Sequence, residues 1–62
     1  MKTIELSLYK QNRLRTYIVQ NIKSFERIND NSGNSFTILY FCDGSQENVH
    51  QTLDEINQLI NN

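Results

Sequence analysis

Proline and tryptophan are absent from this 62-residue chain, and cysteine, histidine and methionine occur once each. The single Cys42 excludes an internal disulfide scaffold. Without proline or a strict repeat, collagen-like and proline-rich architectures are excluded too. Gly33 and Gly44 are isolated, so no glycine-rich loop is present to cradle a phosphate. Long hydrophobic runs are missing as well. The longest, Phe36 to Cys42, contains Thr37 and is far too short to span a bilayer as a helix. The second half of the chain has no lysine or arginine at all.

What is present suits a globular chain with a lean core: 37% hydrophobic residues, 21% charged residues and a formal net charge of −1. The mass of 7.3 kDa makes residues 1–62 one small domain. A chain of this size buries only about 60% of the surface exposed by its unfolded form. Self-association as a homodimer is the expected supplement to so small a core. Lys2 is followed by alternating residues rather than an apolar stretch, so no secretory signal is expected. Together with the unpaired cysteine this predicts a cytoplasmic protein with no membrane contact. Asparagine and glutamine supply 14 of the 62 residues, dispersed rather than in a tract. That fits an A+T-rich coding sequence, as in a low-GC bacterium, a phage or another mobile element.

Charge is distributed unevenly. Lys2, Lys10, Arg13, Arg15, Lys23 and Arg27 all precede residue 28, and residues 1–29 carry a net +4. Residues 30–62 carry a net −5. Such asymmetry suits a basic face for nucleic acid, or basic-to-acidic pairing between subunits. It equally suits two halves that fold together and neutralise each other in part.

Ile4, Leu6 and Leu8 alternate with polar neighbours, the period of a half-buried strand. Lys10 to Arg13 reads as a hairpin loop, and Leu14 to Gln20, rich in β-formers, as the returning strand. A two-residue turn at Gln11-Asn12 sets Leu6 opposite Tyr17, Ile4 opposite Val19 and Leu8 opposite Arg15. Ile22 to Ile28 forms another short strand, and Asn29 to Asn34 the clearest loop. Ser35 to Cys42 is the strongest strand. It sets Phe36, Ile38, Tyr40 and Cys42 on one face and Thr37, Leu39 and Phe41 on the other. Apolar side chains on both faces imply a central strand, or an outer face covered by a partner.

Asp43-Gly44 is a turn signal. Beyond it, Thr52-Leu53-Asp54-Glu55 matches a capping box with Thr52 as N-cap. This predicts a helix from Leu53 to about Asn61 that presents Leu53, Ile56 and Ile60, with Leu59 beside them. Ser45 to Gln51 then forms a short edge strand. A helix starting at Ser45 is the rival reading, because Val49 is in phase. The expected fold class is α+β: an antiparallel β-meander of four or five strands with one C-terminal helix packed on one face.

Residues Ile22-Lys23-Ser24-Phe25-Glu26, Phe36-Thr37-Ile38-Leu39-Tyr40, Asp43-Gly44 and Thr52-Leu53-Asp54-Glu55-Ile56 resemble a pattern shared by two families. One is the LytTR DNA-binding domain and the other the FlbD-like small flagellar proteins. The resemblance spans residues 22–60 and implies β-β-α order.

Cys42 and His50 are the one pairing that suggests a nucleophile and a base. No oxyanion-type loop accompanies them, and Cys42 reads more simply as a small buried hydrophobe ending a strand. One cysteine, one histidine and scattered carboxylates lack the spacing of metal ligands. The chain is therefore expected to be neither an enzyme nor a cofactor or metal binder. It is expected to be a small regulator or inhibitor that binds a protein and occludes a site on it. Tyr9, Lys10, Arg13 and Arg15 are the candidate basic contacts, with Leu39 and Phe41 as apolar anchors. A nucleic-acid-binding regulator using the same basic hairpin is the alternative.

Overall fold

The alternating apolar residues near the start form β1 (Thr3–Ser7), which pairs antiparallel with β2 (Leu14–Ile18). This is a computed structural model, and it describes all 62 residues. A single 3-10 turn at Val19–Asn21 leads into β3 (Ile22–Asn29). Next come β4 (Ser35–Phe41), β5 (Gln46–Val49) and the helix α1 (Leu53–Asn61). The fold is α+β, with five antiparallel strands and one C-terminal helix. The strands divide into two sheets, β1-β2 and β3-β4-β5. An antiparallel bridge between Leu8 and Val49 joins them. Backbone bonds from Tyr9 N–H to Asn48 O (2.9 Å) and from His50 N–H to Ser7 O (2.9 Å) flank the bridge.

The register of the first hairpin differs from the two-residue-turn expectation. Leu6 lies opposite Arg15 and Ile4 opposite Tyr17. Leu8 N–H donates to Arg13 O at 3.0 Å, which leaves Tyr9 to Asn12 as the connection. Lys10 takes a left-handed conformation there, with φ 58°. The slip is two residues, so every side chain keeps its face: a strand with period two can move by two without exposing its apolar set.

The core consists of Ile4, Leu6, Leu8, Tyr17, Leu39, Val49 and Ile56, with Phe25, Phe41 and Ile60 packed around it. In β4 the inward residues are Thr37 and Leu39, both fully buried. Phe36, Ile38 and Tyr40 therefore point to the opposite face, where each stays half-exposed. Helix α1 packs on the inner side: Ile56 joins the same core as Leu39, and the helix contacts β3. Burying one such isoleucine is worth about 1.5–3 kcal/mol, which a nine-residue helix needs in order to persist.

The capping box is formed as the sequence implies. Thr52 Oγ1 accepts from Glu55 N–H (3.2 Å), and Glu55 Oε1 accepts from Thr52 N–H (2.9 Å). Residues 46–49 form β5 rather than an earlier helical turn, because Val49 pairs with Thr37 and also bridges Leu8. Lys2 Nζ donates to Asn62 O and ties the start of the chain to the end of the helix. No helix is long and apolar enough to cross a membrane.

Candidate binding surface

The basic residues concentrated in the first half of the chain do not form one patch. Arg27 faces the core side of β3, where it is half-buried. Its Nη1 donates to Thr37 Oγ1 (2.9 Å), His50 O (3.2 Å) and Gln51 O (3.3 Å). Thr37 in turn donates to Gln51 O at 2.6 Å. This cation is a structural strut that fastens the β5–α1 connection to the sheet. Arg15 lies on the inner face of β2, 3.4 Å from Glu47 Oε1 and above the ring of Tyr17 (5.9 Å to the centroid). Arg15–Glu47 is the one salt bridge between the basic and acidic halves. Lys10 and Arg13 remain exposed at the hairpin.

The expected contact residues thus separate. Tyr9 and Lys10 belong to the outer face of the three-stranded sheet. Tyr9 packs on Phe36 with ring centroids 4.8 Å apart and on His50 at 5.1 Å, and Lys10 Nζ sits 5.5 Å from the Tyr9 ring centre. Lys10 N–H donates to His50 Nε2 (3.0 Å), which anchors the left-handed residue at the hairpin. Arg13 immediately precedes β2 and Arg15 lies within it, and neither is among the contacts of the Tyr9 cluster. Leu39 is a correction: it has no exposed surface and is a core residue, because the inner face of β4 is the one the helix covers. Phe41 is also an inward residue. It stacks on Tyr17 at 5.6 Å and stays half-buried, at the wall of a groove of about 570 Å³ beside β2.

Residues that the sequence reading did not single out complete the outer face. Ile28 and Phe36 are paired across β3 and β4, Ile38 pairs with both Glu26 and Asn48, and Tyr40 lies between Ser24 and Gln46. Tyr40 O–H donates to Glu26 Oε1 at 2.6 Å, which raises the tyrosine's pKa and fixes its ring. The face therefore runs from Lys10 and Tyr9 at one side, across Phe36, Ile38 and Ile28, to Tyr40 and Glu26. The two-faced apolar pattern of residues 36–41 was the signal for it; which face would stay bare depended on the helix.

Cys42 and His50 serve separate purposes. Cys42 is exposed just past the end of β4 rather than buried as expected; its Sγ lies 3.8 Å from Gln20 O and its N–H donates to Asn21 O (2.8 Å), while His50 Nε2 is occupied by Lys10. Asp30 Oδ1 accepts from Ser32 and Asn34, and Asp43 Oδ1 from Ser45. These bonds lower both carboxylate pKa values and shape the two loops. Compared with known protein families, curated proteins and solved structures, the chain matches none.

Proposed function

We propose that this protein is a non-enzymatic binding module that covers a site on a larger protein. The reading rests on the outer face of β3-β4-β5. There Phe36, Ile38, Ile28 and Tyr40 stay half-exposed although the chain has few large apolar residues to spare. Contiguous apolar side chains with a polar border are the composition of a protein interface. Lys10, held beside Tyr9, sets a positive charge at one margin. The fitting partner presents an apolar patch with an acidic fringe on the Lys10 side. A role as regulator or inhibitor by occlusion follows from the size: the chain offers a surface, and its neighbours must supply the chemistry.

The second reading, nucleic-acid binding, draws on Lys10 and Arg13 at the hairpin with Tyr9 as a stacking platform. Arg27 is engaged internally and Arg15 pairs with Glu47 at the surface, which reduces the cations left to neutralise phosphates. Comparing wild type with Ile38→Lys separates these readings. A protein retained by wild type from nuclease-treated lysate, and lost by Ile38→Lys with an unchanged circular dichroism spectrum, supports the outer-face reading. Equal retention by both proteins overturns it. Retention that vanishes with nuclease, and falls steeply with salt, favours nucleic acid.

A further inference from the structure

The outer edge of β2 is the second unpaired feature of the molecule. Val19 N–H bonds Lys2 O and Leu8 N–H bonds Arg13 O, so the odd-numbered residues of β2 direct their backbone groups to β1. Leu14 and Thr16 therefore turn N–H and C=O outward, and β2 has no strand on that side. β2 has no proline, no bulge and no lysine, and its one charged side chain, Arg15, is partly neutralised by Glu47. Instead Leu14 is 68% exposed and Ile18 36% exposed. The groove bordered by Ile18, Asn21, Phe41 and Asp43 runs along the same edge.

We infer that the occupant of this edge is a second copy of the chain, with the two β2 strands paired antiparallel about Thr16. Among the registers in which outward backbone groups meet, this one sets Leu14 opposite Ile18 and keeps Arg15 from facing Arg15. It puts Thr16 opposite Thr16 of the second copy and Leu14 opposite Ile18, so that exposed apolar side chains match on one face. On the other face it puts Arg15 opposite Tyr17, and no like charges stand directly opposite. The ends match as well. Arg13 of one copy arrives at the Val19–Asn21 end of the other, where Asp43 borders the groove. The basic and acidic halves, linked within one chain by a single salt bridge, thus find complements between chains. The seam lies on a different strand from the outer face proposed for the partner, so one dimer presents two such faces. A seam of five residues per strand is at the small end of interfaces, and its affinity is expected in the micromolar range or weaker.

Sedimentation equilibrium on the full chain tests this. The mass is expected to rise with concentration from 7.3 kDa towards twice that value. Thr16→Pro removes an outward N–H and no bond to β1, and is expected to weaken self-association at least about tenfold. Thr16→Lys sets two ammonium groups against each other at the twofold axis while retaining the β1 ladder, and is expected to act likewise should the proline variant unfold. Thr16→Cys in a Cys42→Ser background is expected to cross-link to its own copy on oxidation. A wild-type chain that stays monomeric at about 1 mM, the weak limit of specific association, overturns the inference. So does a dimer indifferent to Thr16→Lys, or one lost in Ile38→Lys, since that places the seam on the outer face.

Discussion

Tyr17 carries a hydroxyl that the core encloses without any hydrogen-bond partner. Its ring is used on both sides, by Phe41 and by Arg15, so the aromatic surface and not the oxygen justifies the residue. Removing an unpaired buried oxygen removes a desolvation cost, so Tyr17→Phe is expected to be neutral or stabilising by about 0.5–1 kcal/mol in urea unfolding. Burial, and then the charge of Glu47, raise the Tyr17 pKa above the ordinary 10.0, against an opposing effect of Arg15. A tyrosine that ionises later in the folded state favours folding below the unfolded pKa. That advantage is lost as pH rises through the folded value. Unfolding midpoints followed from pH 9 upward are therefore expected to fall for wild type, and to fall less for Tyr17→Phe. Tyr40 contributes in the same direction through its bond to Glu26, so part of the decline persists. At this scale the sequence set Tyr17 opposite an apolar strand residue, but the unpaired hydroxyl arose from packing that no local pattern encodes.

Helix α1 depends on its first turn. Thr52 and Glu55 satisfy backbone donors reciprocally, and Asp54 adds a second negative charge where the helix dipole favours it. Thr52→Ala is expected to destabilise the fold by about 1 kcal/mol, seen as a lower urea midpoint. The bonds from the Thr52 backbone, and then from its side chain, hold the Glu55 pKa below 4.5. Its stabilising contribution is present above the unfolded pKa and is lost as pH falls through the depressed value. Glu55→Gln is expected to flatten the acid limb of a stability–pH profile, a difference that the Asp30 and Asp43 loops should leave intact. The helix was legible because a capping box lies wholly within four adjacent residues. The hairpin register was less so: β1 and β2 keep the same faces at either of two offsets, and the left-handed Lys10 decided between them.

Over the whole molecule, stability at roughly 0.05–0.15 kcal/mol per residue amounts to about 3–9 kcal/mol. Leu39 touches no solvent and sits where the three-stranded sheet meets the helix. Leu39→Ala is expected to cost about 2–5 kcal/mol, enough to lower the thermal midpoint steeply or to abolish the transition in a circular dichroism melt. Phe36→Ser, on the outer face of the same strand, is expected to lower it far less, and an equal loss would mean that the outer face is covered within the chain. Only eight residues are buried, so the fold draws on one small cluster bridged by Leu8 and Val49, and surfaces on β2 and on the outer face of β4 are left for other chains.

The α+β class, the order of strands before one helix, the loop after β3 (read as Asn29 to Asn34, with Asn29 in the strand) and the helix start were written in short-range features: alternation, turn residues and a cap, each acting within a few residues. The asymmetric charge and the two-faced strand were likewise visible in one dimension. Tertiary structure alone decided which face of β4 became core, since both faces are apolar and only the docking of the β1-β2 hairpin (Ile4, Leu6, Leu8, Tyr17) and of Ile56 on the helix separates them. That choice buried Leu39 and bared Phe36, Ile38 and Tyr40. Tertiary structure also drew Arg27 into internal contacts and set Arg15 beside Glu47, while Lys10, Arg13 and Lys23 stay exposed. A linear sequence lists cations without their partners, and partners 10 to 32 residues away are brought into reach only when the sheets close.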